Sequence, residues 1–239
     1  MEPQADTRKR TYRWLPFVTA IFVTTLLVSN IIAVKIVQIS SLSLPAAVIL
    51  FPIAYIFGDI LTEVYGYGRA RQVIWTGFFC NLIAVVAIWI GGLLPAASFW
   101  TAGSFTTSDS AQQAYQAILG FTPRLLLASF VAYLLGEFLN SFVLAKLKVR
   151  TSGRFLWIRT ISSTLLGQGV DSAVFLSIAF SGIIPTNDLG IAILSQWSFK
   201  VVYEVLATPL TYLVVNWLKR VESEDYFDRS TNFNPIVFE

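Results

Sequence analysis

Six long runs of mostly apolar residues constrain this chain more than any motif in it. They cover residues 14–35, 45–65, 71–94, 122–145, 159–184 and 188–218. A helix needs roughly 20 apolar residues to cross the hydrocarbon of a bilayer. Inside it, every backbone polar group must be satisfied within the segment. Charged residues are 13% of the 239, and mean hydropathy is +0.66. Soluble domains are closer to a quarter charged. The expected fold is an all-α membrane protein of six transmembrane helices over residues 14–220. Residues 1–13 are expected to form a basic cytoplasmic N-terminus and residues 221–239 a polar, poorly ordered cytoplasmic tail. The first apolar run is too long for the 7–15-residue core of a signal peptide, so it reads as a retained span.

Lysine and arginine orient the spans. One set of segments holds Arg8, Lys9, Arg10 and Arg13, then Arg69 and Arg71, then Lys146, Lys148, Arg150, Arg154 and Arg159, then Lys219, Arg220 and Arg229. The opposite short loops, 36–44 and 181–188, hold none, and only Arg124 lies at that edge. Both ends are therefore expected in the cytoplasm of a bacterial inner-membrane protein. The basic residues are scattered over short segments, which argues against a nucleic-acid partner. In the long outer segment 95–121, Thr107 or Ser108 suits a helix N-cap and Asp109 its first turn. Ala111, Ala114, Tyr115, Ile118 and Leu119 follow on one face, so the segment reads equally as a short amphipathic helix on the outer surface or as a plain connecting loop.

Seven ionisable residues fall within the runs: Lys35, Asp59, Glu63, Glu137, Asp171, Lys200 and Glu204. Each costs about 2.5–3.5 kcal/mol at a lipid-facing helix centre, so they should face the interior of the bundle. Their spacing agrees. Asp59 and Glu63 are four apart, as are Lys200 and Glu204, while Gln168 and Asp171 are three apart. Glu137 has Asn140 and Ser141 on its face. Lys35 has an alternative, snorkelling to the surface. Five carboxylates against two ammonium groups would leave a net −3 if all were ionised. Such an interior favours a cationic or donor-rich ligand, or bound protons. Pro52 and Pro209 allow kinks, and Gly58, Gly136, Gly167 and Gly169 allow close packing or room for a ligand.

One cysteine, Cys80, excludes an internal disulfide, and histidine is absent. That removes the commonest metal ligand and general base. No metal, no cofactor and no enzymatic activity are expected. No phosphate-binding glycine–lysine loop is present.

Residues 51–71, FPIAYIFGDILTEVYGYGRAR, resemble the signature of the queuosine precursor transporters, also called the vitamin uptake transporter family. The segments 132–140 (AYLLGEFLN), 168–171 (QGVD) and 200–212 (KVVYEVLATPLTY) resemble its later motifs. The resemblance implies import of a 7-deazaguanine precursor of queuosine, bound near mid-membrane. The substrate-binding candidates are Asp59, Glu63, Glu137, Gln168, Asp171, Lys200 and Glu204, with Asn30 and Asn81 as outlying members. A buried carboxylate can accept together the adjacent N–H and amino donors of a guanine-like edge, and Lys200 or Gln168 can donate to its carbonyl. The partners expected are this small molecule and the lipid bilayer, and pairing of two copies is compatible with the sequence. The alternative is a substrate-binding subunit energised by separate ATPase partners.

Overall fold

The computed structural model describes residues 11–39, 42–120 and 123–237. Arg8, Lys9, Arg10 and Thr122 lie outside them. The protein is mostly helical: α1 (Leu15–Ile32), α2 (Phe51–Tyr65), α3 (Tyr67–Leu93), α4 (Ser108–Leu119), α5 (Pro123–Arg150), α6 (Leu156–Phe180) and α7 (Thr186–Glu222). Five of these, α1, α3, α5, α6 and α7, are long and apolar enough to cross a membrane. Leu206, Leu213, Ile83 and Trp89 stand exposed on their outer faces, as lipid contact requires.

The second run departs from expectation. It was expected to be helical from residue 45, but its first residues form a strand and a turn. β1 (Ile36–Ile39) pairs antiparallel with β2 (Leu42–Pro45), and a 3₁₀ turn spans Ala46–Ile49. Helix α2 starts only at Phe51. The proline at 52 therefore lies in its first turn, where the missing N–H costs nothing, and not at an interior kink. Lys35 likewise falls beyond the end of α1, exposed, so it is not an interior charge. Pro209 is inside α7 as expected.

Gly66 alone separates α2 from α3. Its φ of +82° suits glycine, and a Cβ there would collide with the Tyr226 ring. Of helix and plain loop, the long segment takes the helix, as α4. Thr107 caps it by accepting from the Ser110 N–H, and Asp109 lies in its first turn. Gln112 and Tyr115 fasten it to the end of α3, donating to the carbonyls of Gly92 (2.8 Å) and Ile88 (3.0 Å).

The apolar core gathers Val18 and Phe22 of α1, Ile56, Ile60, Leu61 and Val64 of α2, Val73 of α3, and Val215 and Leu218 of α7. α5 packs most extensively on α6. Glycines permit this: a Cβ on Gly136 would meet Gly167 O at 3.2 Å, and one on Gly167 would meet Gly136 O at 2.8 Å and Asn140 Cβ at 2.7 Å. Small residues let backbones approach in the absence of a hydrophobic drive between helices in lipid.

Thermal unfolding in detergent should therefore separate two glycines. Gly167→Ala is expected to lose about 1–3 kcal/mol through overpacking. Gly68→Ala, with nothing within 4 Å of the new methyl, is expected to unfold at or above the wild-type temperature, since alanine is the better helix former.

Candidate functional site

Four helices bring polar side chains to one place inside the bundle. Lys200 of α7 forms an ion pair with Asp171 of α6 and a hydrogen bond with the Tyr55 hydroxyl of α2. Its ammonium lies 6.0 Å from the Tyr55 ring centroid. Glu137 of α5 stands within the field of both Asp171 and Lys200. Gly58 leaves room for it, since a Cβ there would meet Glu137 Oε2 at 3.4 Å. The Lys200 side chain is 6% exposed and that of Asp171 is 22% exposed. The pair thus presents an open carboxylate edge on one side. Gln168 is buried one turn before Asp171. The Trp197 indole donates to Leu165 O (2.9 Å) and lies against Gly169, 3.2 Å from where a Cβ would stand.

A second group adjoins the first. Asn140 Nδ2 donates to Asp59 Oδ1 at 2.9 Å, across α5 and α2. Glu204 of α7 is the strongest charged neighbour of Asp59. Asp59 Oδ2, Asn140 Oδ1 and both Glu204 oxygens are buried without a hydrogen-bond partner.

Glu63 belongs elsewhere. It lies at the basic end of the bundle, where α1 begins and α7 finishes. Arg159 holds it with two hydrogen bonds, Nη2 to Oε1 at 2.7 Å and Nε to Oε2 at 3.2 Å. Lys219 Nζ adds 2.6 Å to Oε1, and Lys148 Nζ approaches Oε1 at 3.7 Å while donating to the Glu63 carbonyl at 2.5 Å. Asp225 then bridges Lys148 (2.5 Å) and Lys219 (2.8 Å). Burial tends to raise the Asp225 pKa, but the two ammonium groups outweigh it and hold the carboxyl below the usual range. With its oxygens engaged by cations, Glu63 is a fastening between helices.

The tail corrects another expectation. Instead of being poorly ordered, residues 223–237 strap the α2–α3 corner. Asp228 accepts the Tyr67 N–H at 3.1 Å, Arg71 donates to Asn232 O (3.0 Å) and Asn234 O (2.9 Å), and Trp75 donates to Pro235 O (2.8 Å). Lys146 lies 4.0 Å from the Phe233 ring centroid. Glu222 accepts from the backbone N–H of Arg13 (3.1 Å) and Trp14 (2.6 Å) at the start of α1, where helix N–H groups lack partners. Asn30 and Asn81 bond to each other at 2.9 Å, joining α1 to α3.

The profile of the family described as "Putative vitamin uptake transporter" matches residues 45–214. The chain belongs to this family. A "Probable queuosine precursor transporter" of Bacillus subtilis is 28% identical over 202 residues, 83% of this chain and 80% of that protein. A protein of the same description from Haemophilus influenzae is 30% identical over 54% of this chain and 49% of its own length. The "Queuosine precursor transporter" of Escherichia coli is 28% identical over 54% of this chain and 52% of its own. No solved structure matches.

The matched segment contains Asp59, Glu63, Asn81, Glu137, Gln168, Asp171, Lys200 and Glu204, and leaves out Asn30 and the strap. Lys148, Arg159 and Lys219 were read in the sequence only as orienting charges. Nothing in their spacing announced a shared carboxylate. A cavity between α3 and α4, lined by Val85, Ile88, Trp89, Leu93, Tyr115 and Gln116 among others, lies apart from both polar groups.

Removing the Glu63 charge leaves three cations without their common partner. Glu63→Gln is expected to cost about 3–5 kcal/mol, the range for breaking a buried pair. It should show as a lower unfolding temperature and as protease cleavage of the released tail.

Proposed function

We propose that this protein is a six-span transporter that moves a queuosine precursor across the bacterial inner membrane, with both ends in the cytoplasm. The observation that carries the reading is the convergence of Tyr55, Glu137, Asp171 and Lys200 from four helices, with one carboxylate edge left open. Charges inside a span mark pathways far more often than glue, because polar contacts between such helices return only about 0.6 kcal/mol each. The names of the relatives support the substrate.

The chemistry suits a deazaguanine. Asp171 or Glu137 accepts the paired N–H and amino donors of the guanine-like edge, and Lys200 or Gln168 donates to the ring carbonyl. The Tyr55 ring and Trp197 offer flat faces for stacking. A cationic aminomethyl arm gains from the acidic surplus.

The short α2 serves as the sixth span together with the turn before it. Fifteen α-helical residues and four 3₁₀ residues rise about 30 Å together, which is the thickness of the hydrocarbon core. The substrate makes transport, not catalysis, the role of the buried acids.

The test is uptake of labelled precursor by vesicles that contain only this protein. Wild type is expected to take it up. Complete dependence on added ATPase subunits would overturn the self-sufficient transporter in favour of a binding subunit. In cells unable to make queuosine, Lys200→Ala and Glu137→Gln are each expected to lower uptake at least tenfold at equal protein amount. A hydrogen bond to a charged group is worth about 1.5–3 kcal/mol, and each 1.4 kcal/mol is tenfold.

A further inference from the structure

The Asp59–Glu204 pair is not used by the substrate chemistry above, yet among the described residues it holds the largest group of buried acceptors without a partner. Both residues are about 1% exposed. Four acceptor oxygens meet around them with no donor: Asp59 Oδ2, Asn140 Oδ1 and the two of Glu204. Asp59 accepts from the Asn140 amide, which spends one of its two N–H donors on Oδ1. Once one carboxyl carries a proton, the two lie within hydrogen-bonding reach of each other.

The charges around the pair do not neutralise it. From α5, Glu137 faces Asp59, and along α2 itself Glu63 does so; both repel a second negative charge. α1 carries no ionisable side chain. α3 offers Cys80 at mid-length, with Arg69 and Arg71 at the basic end, where Arg71 serves the tail. α6 contributes Asp171 and Arg159, the first paired to Lys200 and the second to Glu63. Lys200 and Arg159 are thus each engaged with another carboxylate, and Arg71 with the tail's carbonyls. Adjacent carboxylates in a dry interior cannot both stay ionised, and orphaned buried acceptors call for a donor.

We propose that Asp59 and Glu204 share one exchangeable proton, and that this proton is the coupling ion of transport. The coupling role rests on the transport reading above; the proton site itself does not. The pair takes the proton from water on the outer side and returns it to water on the inner side, so no charge or atom is left behind. Asn140 acts as a positioning residue that holds Asp59 toward Glu204. The pair is one helical turn from Lys200 on α7 and four residues from Tyr55 on α2, close enough for the same helix movements to expose both sites.

Two measurements test this. The first needs no substrate. Infrared spectra of the purified protein at neutral pH should show the band of a protonated buried carboxyl, absent from Glu204→Gln or shifted in Asp59→Asn. A spectrum with no such band, or with one unchanged in both variants, overturns the proposal. Glutamine is the neutral isostere of the protonated acid, so Glu204→Gln should fold; Asp59→Asn is the second variant if it does not.

The second measures accumulation in vesicles with the outside acidic. Wild type should concentrate a neutral precursor up to about tenfold per pH unit, the limit for one proton, and Glu204→Gln should not respond to the pH difference. Accumulation driven by sodium with no pH difference, or a pH response retained in Glu204→Gln, overturns the proposal. If wild type moves no precursor under any gradient while the band is present and lost in Glu204→Gln, the substrate assignment falls and the proton site stands.

Discussion

The arrangement at the basic end depends on one buried carboxylate. Glu63 gathers Arg159, Lys148 and Lys219, and so ties α2 to α6, α5 and α7 through a single side chain. Taking these charges out of water costs several kcal/mol per ion before their attraction returns it. What offsets the cost is geometry: Arg159 meets both oxygens, and Lys148 also reaches the Glu63 and Tyr226 carbonyls. The cluster extends into the tail through Asp225, and Glu222 closes the loop by capping α1. The start of α1, the strap and helices α2, α5, α6 and α7 thereby meet at one end.

Further along the bundle the balance reverses. At the basic end cations outnumber carboxylates; toward mid-length carboxylates outnumber cations. Lys200 is the ammonium that faces Asp171 and Glu137, and Asp59 and Glu204 have none of their own. A chain selected only for stability would have no reason to carry that second half. Its orphan oxygens cost more than neutral residues of the same shape would, and that cost is what the proposed proton site accounts for. Close packing of α5 on α6 at Gly136 and Gly167 brings Glu137, Asn140, Gln168 and Asp171 together on one seam, so the glycines serve the site by serving the backbone.

Much of this was legible in the sequence, and the reasons differ by element. The long spans were visible because lipid imposes one composition over a whole helix. The polar stripes were visible because 3.6-residue periodicity puts positions four apart on one face. The α4 cap was narrowed to Thr107 or Ser108 because a capping hydroxyl acts on N–H groups two or three residues further on. The partners of Glu63 were hidden, since Lys148, Arg159 and Lys219 lie 85, 96 and 156 residues away from it in the chain, and a helix-end cation looks the same whether it meets water or a buried acid. The late start of α2 was hidden too: residues 45–50 are as apolar as a helix, and hydropathy does not distinguish a strand or a 3₁₀ turn from an α-helix. The tail was misread because its composition is polar; what orders it is backbone carbonyls accepting from Arg71, Trp75 and Lys148, which composition does not record.

Helix α7 carries both regimes on one rod. Trp197, Lys200 and Glu204 lie on one side of Pro209, and Lys219 and Glu222 on the other. A proline within a helix removes one backbone hydrogen bond and leaves a carbonyl free, so this is where the rod is least resistant to bending. The half beyond Pro209 is held by Glu63, Asp225 and the start of α1. The half before it is held by packing on α6 and α2, by the Trp197 bond to Leu165 O and by the Lys200–Asp171 pair. Any rearrangement that exposes Lys200 and Glu204 to one side of the membrane and then the other therefore meets less resistance in the first half than in the second. The fastened end supplies the fixed frame against which such a movement can do work.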